Sequence, residues 1–80
     1  MSGPNRLATA GDFVTDFRRL RKNGELFSVN GDLGFVWINL KEKDMEPGTI
    51  DKLREMRYIC TYDHRFGWEI RKTVSTLILQ

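Results

Sequence analysis

The sequence predicts an α+β fold of order α-β-β-α-β-β, with a four-stranded, mainly antiparallel sheet and two helices packed on one of its faces. Three observations carry this. Hydrophobic spacing follows a helical period before residue 23, a strand period from 26 to 40, a helical period again near 50, and a strand period from 58 to 71. Asn30-Gly31 is a strong hairpin signal, because both residues tolerate positive φ. A second pair of short β-rich runs flanks Asp63-His64-Arg65-Phe66-Gly67.

Residues 1–8 read as a flexible arm ahead of the domain, which is placed at 9–72. In the first helix, expected over about 10–22, Ala10, Phe13, Val14, Phe17 and Leu20 recur as one apolar stripe. Thr9 suits the N-cap and Asp12 the first turn, where a carboxylate meets the positive end of the helix dipole. Asn23-Gly24 gives the stop, since glycine accepts the left-handed conformation that ends many helices.

With Asn30-Gly31 as the turn, Val29 pairs with Asp32 and Phe27 with Gly34. One face then holds Phe27, Val29, Val36, Ile38 and Leu40, and the other Leu26, Ser28, Leu33, Phe35 and Trp37. The β-branched side is expected to be core, which leaves Phe35 and Trp37 on the uncovered face. After the solvated run Lys41–Asp44, a second helix is expected over about 47–57, with Pro47 at its first position and Ile50, Leu53 and Met56 or Arg57 buried. In the last hairpin Tyr62 faces Trp68 and Cys60 faces Ile70 on the core side, with Ile59, Thr61, Glu69 and Arg71 opposite. Residues 73–80, containing Val74, Leu77, Ile78 and Leu79, are expected to form a further strand or a docking tail.

This order is what a ferredoxin-like βαββαβ chain gives when its first strand is moved to the end, so a permuted ferredoxin-like arrangement is the expected topology. Such a sheet has one covered face and leaves the other for solvent or a partner.

At 80 residues the chain is one small domain, close to the size at which burial and ordering nearly balance. A partner or second copy would therefore help it. Its longest apolar runs are far short of a membrane span. Met1-Ser2-Gly3-Pro4-Asn5 lacks the pattern of a secretory leader, and the lone Cys60 allows no internal disulfide. The expected location is cytoplasmic, with no membrane partner.

The net charge of +2 is unevenly spread, with five basic and two acidic groups in residues 1–24. Arg18, Arg19 and Lys22 could meet phosphates, although basic groups at a helix C-terminus also serve its dipole. Gly34, Phe35, Trp37 and Ile38 fit in part the strand pattern by which RNA-recognition sheets stack bases, whereas Leu33, Val36 and Leu40 depart from it.

Cys60, Asp63 and His64 form the only cluster suited to nucleophilic chemistry, yet Cys60 sits on a core face and His64 in a loop. One Cys and one His cannot make a structural metal site within the chain, and phosphate-binding glycine loops are missing. No enzyme activity, cofactor, metal or small-molecule substrate is expected.

The function expected is that of a small non-catalytic protein-interaction, regulatory or accessory module, homodimeric in one version, that binds through the open sheet face or the C-terminal tail. The alternative is a single-stranded nucleic-acid-binding domain using sheet aromatics and a basic helix end. The candidate contacts are Arg18, Arg19, Lys22, Phe35, Trp37 and Arg71.

Overall fold

A computed structural model describes residues 6–74. Among them are two helices and a four-stranded antiparallel open sheet, in the chain order α1 (Ala10–Lys22), β1 (Phe27–Val29), β2 (Asp32–Leu40), α2 (Thr49–Glu55), β3 (Ile59–Asp63) and β4 (Gly67–Val74). The strands lie side by side as β1-β2-β4-β3. This puts the last strand in the interior of the sheet, as moving a ferredoxin-like chain's first strand to its end would do.

α1 is closed at both ends by its own sequence. The Thr9 hydroxyl accepts from the Asp12 N–H, and the Asp12 carboxylate accepts from the Thr9 N–H at 2.7 Å, a reciprocal capping box. At the other end Gly24 is left-handed. Its N–H reaches the Arg21 carbonyl and the Glu25 N–H reaches that of Leu20, so the last carbonyls are satisfied in a Schellman motif.

The Asn30-Gly31 turn sets the β1–β2 register as expected, with Phe27 opposite Gly34 and Val29 opposite Asp32. In the second hairpin Cys60 stands opposite Ile70 and Tyr62 opposite Trp68, also as expected. The β2–β4 pairing, which local sequence does not display, puts Trp37 opposite Ile70 and Val36 opposite Arg71. Ile70 is fully buried. The register therefore places Trp37 on the core side and Val36 on the open side, the reverse of the expectation for this strand.

Beyond Trp37 a β-bulge, with Asn39 at φ 60°, inserts a residue so that Leu40 falls opposite Trp68. The bulge returns Leu40 to the core side, which the strict alternation of an unbroken strand would deny it. The core gathers Ala10 and Phe13 from α1, Leu53 from α2, and Tyr58, Cys60 and Ile70 from the sheet side. Trp37, Leu40 and Trp68 pack against this group.

α2 is shorter than expected. Pro47 and Gly48 form the middle of a turn closed by the Thr49 N–H on the Glu46 carbonyl, with Gly48 at φ 85°. Proline followed by a left-handed glycine is the type II combination, so the helix begins only at Thr49. Met56 caps its far end and is exposed instead of buried.

The described end of the N-terminal arm is tied to the domain. Ala8 bridges Met45, donating to the Asp44 carbonyl and accepting from the Glu46 N–H, both at 2.8 Å. Thr73 and Val74 complete β4; the remainder of the expected C-terminal tail, 75–80, lies outside the described residues. No described helix is long and apolar enough to cross a membrane.

Candidate functional site: the open sheet face

The two faces of the sheet differ in chemistry. On the helix-covered face Trp37 is boxed in by aromatic rings. Phe13 meets it edge-on at 5.5 Å, and Phe17 and Tyr58 lie 6.3 and 6.1 Å away. Phe35 stands beside it at 5.1 Å. The indole N–H donates to Asp16 on α1.

Trp37 and Phe35 are therefore not the exposed stacking pair expected from the sequence. Val36 points away from the helices instead of into the core, and large rings fill the gap beneath α1 in its place. The basic group is dispersed as well. Arg19 pairs with Asp16, Arg18 lines a groove beside α1, Lys22 is exposed at the helix end, and Arg71 belongs to the opposite sheet face. The six candidate contacts thus do not share one surface.

The open face is built around Arg71 and Glu69 on the central strand β4, whose side chains join at 2.7 Å. Val36 on β2 and Ile59 on β3 flank Arg71, and Thr61 flanks Glu69. Ile38 lies in the same shallow cleft as Glu69 and Phe66. No described helix covers these side chains, and Ile38 and Ile59 remain 60% and 56% exposed. A row of Val36, Arg71 and Ile59 thus crosses three strands, and the guanidinium stem lies between two aliphatic groups. Sequence reading placed Ile59, Thr61, Glu69 and Arg71 here but missed Val36 and Ile38. Only the β2–β4 register reveals them.

Cys60 and His64 are not arranged for nucleophilic chemistry. Cys60 is buried in the core, where desolvation raises its thiol pKa against the smaller opposing pull of Arg54. His64 is exposed in the turn between β3 and β4. A buried, protonated thiol is a poor nucleophile. Among the described residues no three His, Cys, Asp or Glu side chains gather as a metal centre requires.

Comparison with protein-family models, curated proteins and solved structures found no match to this chain.

Proposed function

We propose that this chain is a small non-catalytic protein-interaction module of the cytoplasm, and that its open sheet face takes a second copy of itself. The observation that carries the reading is the row Val36–Arg71–Ile59, half-buried at Val36 and Arg71 and exposed at Ile59, with exposed Ile38 beside it, on a sheet face that no described element covers. Exposed apolar side chains standing singly are ordinary, but a contiguous set rimmed by polar groups marks a contact surface. A two-fold interface must be self-complementary. This face meets that condition by carrying one cation and one anion in its middle, so Glu69 of each copy can meet Arg71 of the other while the aliphatic groups close around them. A regulatory or accessory role suits a domain whose assembly depends on its concentration.

Sedimentation across a concentration series tests this. The wild-type chain should pass from monomer to dimer, whereas Ile59→Lys and Ile38→Lys should remain monomeric. Both positions are exposed, so the monomeric fold should survive, as circular dichroism would verify. A wild-type chain that stays monomeric at every concentration refutes the reading.

A further inference from the structure

A second surface lies on the other side of the molecule and is independent of the sheet face. Between α1, the end of α2 and the end of β4 runs a groove of about 420 Å³. Its apolar lining includes Val14, Met56 and Val74, and its rim carries Arg18, Arg21 and Lys72. Burial, and to a smaller degree the charge of Arg57, pulls the Lys72 pKa below its ordinary value. Arg19, Arg6, Arg65 and Arg71 all hold carboxylates, but Arg18, Arg21, Arg57 and Lys72 form no ion pair among the described residues. Like charges gathered without counter-charges raise the local concentration of anions.

The lining distinguishes between anionic partners. A single-stranded nucleic acid needs open ring faces on which to stack. The two rings here, Phe17 and Tyr58, are only 6% and 5% exposed, and Lys72 lies over the Tyr58 ring at 5.0 Å. What remains accessible is aliphatic and thioether surface, with Met56 adaptable in shape. Such a lining takes branched apolar side chains, while the rim takes carboxylates.

We infer that this groove binds an acidic peptide segment of a protein partner, in which Asp or Glu alternates with apolar residues. The apolar side chains enter between Val14, Met56 and Val74, and the carboxylates meet Arg18, Arg21 and Lys72.

The test uses the full chain and a short fluorescein-labelled peptide alternating Glu with Leu, read by polarisation at low and moderate salt. One control peptide keeps Glu but replaces Leu with Ser, and the other keeps Leu but replaces Glu with Gln. Oligouridine of similar length is the nucleic-acid probe. The Glu/Leu peptide should bind most tightly and weaken with salt, and each control should lose affinity about tenfold. Arg18→Gln and Lys72→Gln should each weaken binding several-fold, with melting temperature recording that they stay folded. Methyl resonances of Val14, Met56 and Val74 should move on titration, and those of Ile38 and Ile59 on the sheet face should not. Equal binding of the Glu/Ser peptide would reduce the groove to a diffuse positive surface and overturn the inference. So would tighter binding of oligouridine, no binding of the Glu/Leu peptide at low salt, or shifts confined to Ile38 and Ile59. Because the readout lies on the helix side, its failure leaves the dimer proposal standing, and the reverse holds as well.

Discussion

The Trp37 indole N–H donates to the Asp16 carboxylate at 2.8 Å, joining the second strand to a helix residue 21 positions earlier. The same carboxylate holds Arg19, so Asp16 couples a core ring to a surface cation. This bond makes room for a tryptophan beneath α1, since an indole N–H removed from water without an acceptor is destabilising. Asp16→Ala should lower stability by about 1–2 kcal/mol, from the lost partner of a half-buried donor. Asp16→Asn keeps a carbonyl acceptor and should lose less. Urea unfolding followed by tryptophan fluorescence separates the two. Equal losses would mean that the Arg19 pairing, not the indole bond, carries the contribution.

Acid stability should depend on Asp12. The Arg6 side chain, followed by the Thr9 backbone N–H, lowers the Asp12 pKa from its ordinary 3.8 to about 2. Folding therefore favours the ionised carboxylate, and this contribution is complete above the unfolded pKa. It is lost as pH falls from near 3.8 towards 2. Asp12→Asn should remove that part of the pH dependence, so that its melting temperature and the wild type's converge at low pH. Thermal melts between neutral pH and acid record this. A constant gap between the two curves would leave no role for Asp12 ionisation.

The local signals in the sequence fared differently from the long-range ones. The Asn30-Gly31 turn, the Thr9 and Asp12 cap and the Asn23-Gly24 stop act on their own neighbours, and each produced its expected geometry. The faces of β3 and β4 were legible because Cys60, Tyr62, Trp68 and Ile70 alternate cleanly on one side. β2 is apolar on both sides, so alternation alone could not choose between Val36 and Trp37. The choice is made by pairing with β4, more than thirty residues away in sequence. The Asn39 bulge is equally silent, because asparagine with positive φ within a strand resembles any other polar residue there. The candidate surfaces inherited this uncertainty: Ile59 and Arg71 could be placed from the second hairpin, but Val36 and the groove beside α1 could not.

Gly34 on β2 has no room for a side chain against β4. A Cβ at this position would stand 2.4 Å from the Lys72 carbonyl oxygen and 2.6 Å from the Thr73 methyl. The first of these is backbone and cannot swing aside. Gly34→Ala should therefore destabilise the domain by about 1–3 kcal/mol, as overpacked sites do, although alanine generally suits an extended backbone better than glycine. Chemical denaturation measures the effect. A neutral outcome would require the central pair of strands to separate locally, which hydrogen exchange at Lys72 and Thr73 would detect.

Arg57 occupies a position that ordinarily belongs to glycine. It follows the last turn of α2 at φ 71°. Its N–H meets the Arg54 carbonyl and the Tyr58 N–H that of Leu53, both within 3.1 Å. This is the Schellman closure seen after α1, but with an arginine where α1 has Gly24. A side chain in the left-handed region costs roughly 1–2 kcal/mol, and glycine is spared that strain while losing more chain entropy on folding. Arg57→Gly should therefore raise stability by about 0.5–1 kcal/mol. Arg57→Ala removes the same charge from beside Lys72 but keeps the strained backbone, so it should gain much less. Urea midpoints at unchanged slope compare the two substitutions directly. If alanine matches glycine, relief of charge repulsion explains the gain. If glycine alone stabilises, backbone strain at this turn is the cause.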